Sequence, residues 1–212
     1  MRPRCIIIGG GGHARVLIDT LQQSGTADLH GILDPQTVGT MIYGVAVLGG
    51  DELLPTIAAD VTHFVIGLGG TQNNSPRQRL FEAALAHRLL PLSVIHPTAI
   101  CSPRADLAAG VQILAGAIVN AGAQLGQNVL VNSGAIVEHD CSIADHVHIA
   151  TGARLAGGVK VGLGAHIGAG ATIRQYVTIG SRSVVGAGAV VIRDVLPETV
   201  VVGIPAKALE KS

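Results

Sequence analysis

The chain has 212 residues, of which 29 are glycine and only 2% aromatic, with no tryptophan, two tyrosines and two phenylalanines. Sandwiches, barrels and helical bundles fill much of their cores with large rings, so this balance excludes ordinary versions of them and points to a narrow interior of small side chains. Fourteen basic and fourteen acidic residues cancel, which leaves no electrostatic footprint for nucleic acid, and a mean hydropathy of +0.50 comes without any run of the roughly 18 apolar residues that crosses a membrane. Residues 1–8 are too short for a signal-peptide core, and three cysteines, Cys5, Cys101 and Cys141, form no even disulfide framework, so the cytoplasm is the expected compartment.

Residues 1–94 read as an α/β, Rossmann-like half-domain. A buried parallel strand over 5–8 runs into a glycine turn, then a helix over 14–23 with Val16, Leu17 and Leu21 on one side. A second strand over 29–33 ends in Asp34-Pro35, a third over 63–66 ends in Gly67, and a helix over 76–88 leads to a last strand near 92–95. The run Gly9-Gly10-Gly11-Gly12-His13-Ala14 fits G-x-G-x-x-A, whose bare backbone and helix start suit a phosphate, although such a turn also serves simply to pack strand on helix. This stretch is half of a dinucleotide fold, so the nucleotide of an activated sugar suits it better than NAD. Asp34 stands where ribose or base hydroxyls are held, and equally where an Asp-Pro turn begins. His13 opens the helix under the glycine turn, and Arg77 or Arg79 in the polar stretch 67–79 either meets a diphosphate or is a solvated helix start.

From residue 95 the pattern changes to a period of six. Steps of six from Ile95 to Val191 meet an aliphatic residue at sixteen of seventeen positions, the exception being Cys101, and four residues after each comes a small one, from Ala99 to Val195. Three residues after the aliphatic position, Gly recurs from 110 to 188, with Asn128 and Asp140 in the same slot, the residues that tolerate φ > 0. Two inward residues on a short strand followed by a left-handed turn describe a coil of three faces. Stacked coils rise by ~4.8 Å each, giving a triangular prism on the order of 27 Å long. The hexad [LIV]-G-x-[GN]-[small]-x resembles that of the left-handed parallel β-helix of hexapeptide-repeat acyltransferases, and the hand comes from that resemblance alone. The frame over 95–212 shares its shape with γ-type carbonic anhydrases, whose histidine pair five apart is missing, so no metal is expected.

In this frame 135–137 is one face, 141–143 the next and 147–149 the third, so His139 sits at a corner and His148 points out from the face opposite. The two cannot meet within one chain, and in a closed homotrimer they would line an intersubunit cleft. Glu138 and Asp140 flank His139, so a carboxylate can orient the ring and raise its basicity, as a general base requires, although Asp140 also fills the turn slot. His166 stacks one coil above His148, while His146 and His96 read as structural. Thr151, Ala169 and Ala187, 18 apart at the corner after His148, form a smooth ledge for a long thin acyl carrier. Cys141 and Cys101 occupy inward slots unsuited to a thiol nucleophile.

Residues 137–141, His148, 156–162 and the closing 185–195 and 202–207 together resemble the hexapeptide acetyltransferases that modify nucleotide-linked amino sugars of the bacillosamine or perosamine type, and the related sialic-acid O-acetyltransferases. The resemblance implies acetyl-CoA as co-substrate, acetylation of a sugar amine (alternatively a hydroxyl) in bacterial surface-glycan biosynthesis, and a homotrimer. It makes His139 the base, Asp140 its polarising partner and His148 a contact to the acetyl thioester. It also puts Ala169 and Ala187 against the cofactor, and Gly11, Gly12, His13, Asp34, Pro35 and Gly67 around the nucleotide-sugar. Other readings of the same residues are a metal-dependent hydratase and a non-catalytic nucleotide-sugar sensor.

Overall fold

The computed structural model describes residues 2–70 and 72–209, which fall into two compact units. One contains residues 2–69 with Pro76–Pro97; the other contains Gly70–Ser75 with residues 98–209.

The first unit is built on a sheet in the order β3-β4-β2-β1-β5-β6. Its elements are β1 (Arg4–Ile8), α1 (Gly12–Ser24), β2 (Asp28–Leu33), β3 (Met41–Ile42), β4 (Val45–Gly49), α2 (Leu54–Ile57), β5 (His63–Ile66), α3 (Ser75–Ala86) and β6 (Leu90–Pro91). All pairings are parallel except β3 with β4, which turn through Tyr43-Gly44 with both φ positive (47° and 81°), a hairpin that the sequence pattern did not suggest. Helix α1 buries Ala14, Leu17, Ile18 and Leu21, an i, i+3, i+4, i+7 stripe. Val16, expected on that face, is 39% exposed, because the stripe is centred on Ile18 instead. The helix ends at Gly25, whose left-handed φ of 61° lets its N–H donate to Leu21 O at 2.9 Å. Because β1 pairs with β2 on one side and β5 on the other, the sheet reverses direction of winding between β1 and β5, and a crevice opens beyond their carboxyl ends.

The second unit is a prism of three parallel sheets made of strands mostly two residues long. One face carries Gln112–Ile113, Leu130–Val131, His148–Ile149, His166–Ile167, Val184–Val185 and Val200–Val202. The second runs from Ile100–Cys101 to Val190–Val191 and the third from Asp106–Leu107 to Thr178–Ile179, each strand in register with the one 18 residues on. The second residue of each pair points inward, and with the small residue two before it forms one continuous core from Val111 to Val201. Fourteen consecutive turn slots from Gly110 to Gly188 have positive φ, including Asn128, Asp140, His146, Tyr176 and Arg182. At the N-terminal edge the frame is looser: Ile95 is 40% exposed, and Ala99 and Cys101 are only partly covered.

Candidate functional site

The crevice of the α/β unit is shaped by backbone contacts that allow no side chain. Gly9, at φ 100°, donates its N–H to Leu33 O (2.7 Å), and Gly67 donates to Ile8 O (2.7 Å), so the turn after β1 is tied to β2 and β5 together. A Cβ at Gly67 would collide with Gly9 O and Ile7 Cγ2. Asp34 clamps the turn from the side. Its Oδ2 accepts the Gly10 N–H at 2.7 Å and its Oδ1 the Gln36 N–H at 2.8 Å, so the carboxylate starts the Asp-Pro turn and ties it to the glycine turn. Gly11 and Gly12 are exposed, with open space where a Cβ would stand, and α1 starts there with no side-chain cap, which leaves its first N–H groups directed outward. His13 faces Gly69, and Pro35 is exposed beside Asp34. Gly11, Gly12, His13, Asp34, Pro35 and Gly67 therefore lie close together beyond the carboxyl ends of β1, β2 and β5.

The two arginines separate. Arg79 is exposed, while Arg77 is 1% exposed and donates from Nη1 to Ile66 O (3.1 Å) and Leu68 O (2.8 Å), holding the end of β5. Burial pulls its pKa down to about 9, which still leaves it charged at neutral pH.

On the prism, His139 projects from the expected corner, its side chain 56% exposed. Its Nδ1 lies 2.9 Å from Asp140 Oδ2; with the carboxylate ionised, Nδ1 carries the proton and Nε2 offers a lone pair. That hydrogen bond is the main cause of a pKa raised above the ordinary imidazole value, with the charges of Asp140 and Glu138 adding to it. The ring leans over Gly157, where a Cβ would come within 2.5 Å of Nε2. Glycine there leaves the imidazole room and keeps Nε2 accessible.

His148 does point outward from its face, yet it is only 4% exposed. Gly70 and Asn74 lie against this face: a Cβ at Gly70 would sit 3.3 Å from His148 Nδ1, and Asn74 donates to Gly164 O (3.2 Å) and Ala165 O (3.0 Å). His166 packs edge-on against His148 with ring centres 4.8 Å apart, and burial lowers the His166 pKa. Asn132, which the sequence reading passed over, places Nδ2 3.3 Å from His148 Nε2. It lies two residues after Leu130, the strand partner one 18-residue coil before His148. Thr151, Ala169 and Ala187 form an exposed ledge joined by the Gly170 N–H to Thr151 O and Gly188 N–H to Ala169 O bonds (2.9 and 2.8 Å). His146 is structural, bonded through Nδ1 to Asn128 Nδ2 at 3.0 Å. Cys141 donates its thiol to Ala156 O (3.3 Å), and burial raises the pKa of Cys5, Cys101 and Cys141 alike. Among the described residues no three His, Cys, Asp or Glu side chains converge as metal ligands, and no helix is long and apolar enough to cross a membrane.

Residues 4–84 match the PglD N-terminal domain, and residues 122–157 the six-repeat bacterial transferase hexapeptide. No curated protein sequence matches significantly. Among solved structures, a histidine-to-asparagine variant of perosamine N-acetyltransferase from Caulobacter crescentus, in complex with CoA and GDP-perosamine, is 36% identical over 98% of this chain and 97% of its own, with a TM-score of 0.92. The acetyltransferase domain of PglB from Neisseria gonorrhoeae, in complex with acetyl coenzyme A, is 35% identical over 99% of this chain and 100% of its own, again at 0.92. WeeI from Acinetobacter baumannii follows at 25% identity, 97% and 99% coverage and 0.85. The prism is thus a left-handed parallel β-helix, and the chain belongs to the hexapeptide-repeat sugar acetyltransferases that carry a PglD-type N-terminal domain, an acyltransferase family.

Proposed function

We propose that the protein transfers the acetyl group of acetyl-CoA to the amine of a nucleotide-linked amino sugar, with His139 as general base. The observation that carries this reading is the His139–Asp140 pair, bonded at 2.9 Å on an edge that Gly157 keeps bare. Support for the substrates comes from the Caulobacter enzyme, which holds CoA and GDP-perosamine, and the Neisseria domain, which holds acetyl-CoA.

Neutral His139 accepts a proton at Nε2 as the sugar nitrogen forms its bond to the acetyl carbonyl carbon. Asp140 steadies the imidazolium that results. The tetrahedral intermediate then expels the CoA thiolate, which takes the proton back from Nε2 and leaves as the free thiol. No acyl-enzyme is needed. In this reading His148 contacts the thioester, Ala169 and Ala187 flank the carrier, and Gly11, Gly12, His13, Asp34, Pro35 and Gly67 hold the nucleotide-sugar. In a homotrimer the His139 corner of one prism meets the Ala169–Ala187 ledge of its neighbour. In this reading the reaction is cytoplasmic and precedes entry of the amino sugar into a bacterial surface glycan.

Thiol release from acetyl-CoA, measured against nucleotide-linked amino sugars and their hydroxyl counterparts, tests the reading. Release is expected with an amino sugar; release only with hydroxyl sugars overturns the amine assignment.

A further inference from the structure

One face of the prism carries His148 between two side-chain amides, and backbone groups fix which way round each amide sits. Asn132 Oδ1 accepts the Ser133 N–H at 2.8 Å, so the atom 3.3 Å from His148 Nε2 is the amide nitrogen. An NH2 group only donates. Nε2 therefore offers its lone pair, and in the neutral ring the proton sits on Nδ1.

Asn74 is oriented in the same way from the other side. Its Nδ2 donates to Gly164 O at 3.2 Å and Ala165 O at 3.0 Å, two carbonyls that only accept. Ala165 O also receives the backbone N–H of His148 at 3.1 Å, so one carbonyl ties Asn74 to the strand that carries the ring. With Nδ2 spent on backbone, Oδ1 is the atom that faces the ring. Asn74 is only 3% exposed, and no described residue donates directly to this buried oxygen. Oδ1 and His148 Nδ1 close on one point, the bare side of Gly70: a Cβ there would collide with Oδ1 and stand 3.3 Å from Nδ1. A buried amide oxygen is costly without a donor, and a ring N–H that closes on the same point supplies one across a single water.

Protonation of His148 would set an Nε2–H against the Asn132 NH2 group, donor against donor. His166, the titratable ring packed edge-on at 4.8 Å, is itself held toward the neutral form by burial and adds no charge that would favour an imidazolium. We infer that Asn74 is a positioning residue for His148: through one bridging water its Oδ1 holds the ring as the neutral Nδ1–H tautomer, so that His148 keeps its proton throughout the reaction and His139 alone accepts one. The place of His148 beside the thioester rests on the acetyl-CoA reading above, whereas its tautomer does not.

Two measurements test this. In 15N NMR of histidine-labelled protein, with the His148 signals assigned by their loss in His148→Ala, the parent protein at neutral pH should show a protonated Nδ1 and an unprotonated Nε2. An Nε2–H tautomer or an imidazolium overturns the inference without any variant of Asn74. The second measurement is a double-mutant cycle on kcat/KM for acetyl-CoA. Ala165 O keeps its backbone partner in Asn74→Ala, so the coil should stay folded. That substitution should cost about tenfold in the parent protein and stay within about twofold when added to His148→Ala. Gly70→Ala, which puts a methyl where the bridge stands, should reproduce the loss and the same dependence on His148. An equal loss with and without His148 reduces Asn74 to a structural strut and overturns the positioning role. If the parent protein releases no thiol from acetyl-CoA, the acetyl-CoA reading falls, and the tautomer still stands or falls by the spectrum.

Discussion

Asp140 gives His139 both its orientation and its basicity, through the 2.9 Å bond to Nδ1. In the proposed reaction only the neutral imidazole takes the amine proton, so activity should fall as pH falls through the raised His139 pKa. Asp140→Asn removes the acceptor that favours the imidazolium. The ascending limb of kcat/KM against pH should move to lower pH while the plateau drops; an unmoved limb would detach Asp140 from the base. This pair was legible in the sequence because the six-residue frame turns position into direction: one residue before a turn slot points out at a corner. The same frame set His148 correctly outward but could not show its cover. Asn74 reaches Gly164 and Ala165 from some ninety residues away, and no local pattern reports a contact of that range. Tyr176 and Arg182, in slots where φ is positive, were legible only as places where the glycine rule is broken.

At the scale of elements, the prism could be read almost coil by coil because, up to Val190–Val191, each strand pairs with the one 18 residues away, so that contacts repeat in sequence. In the α/β unit the strands that run into Asp34 and Gly67 were equally plain, whereas the β3–β4 hairpin was hidden by its two-residue strand and by Tyr43 in place of the usual Asn or Asp at a two-residue turn. Arg77 shows the limit of reading charge from sequence. In a polar stretch it suggested a ligand contact or a solvated helix start, yet it is buried and its Nη1 donates to Ile66 O and Leu68 O, bracing the end of β5. Arg77→Ala leaves those carbonyls unmet and opens a buried gap, and should destabilise the α/β unit by about 3 kcal/mol, seen as an earlier first transition in urea followed by circular dichroism. An unchanged midpoint would show that the bracing is dispensable.

For the whole molecule, the His139 corner and the Ala169–Ala187 ledge lie on different edges of one prism, so the site proposed above draws on two chains of the proposed homotrimer. His139→Ala destroys the base, and Ala187→Trp fills the ledge; homotrimers of either should be inactive. Subunits of the two kinds assembled together regain activity, because some clefts pair an intact corner with an intact ledge, whereas no recovery in verified mixed trimers would place the whole site within one chain. The glycine-rich, ring-poor composition follows from the same architecture: turn slots and bare edges need glycine, a core one aliphatic side chain wide has no room for rings, and the exposed Tyr176 is the exception in this unit. The most direct test of the account is thiol release from acetyl-CoA with a nucleotide-linked amino sugar, parent protein against His139→Ala. The account predicts kcat lower by roughly 10²–10⁴ with KM for acetyl-CoA little changed; near-normal turnover in the variant would contradict it.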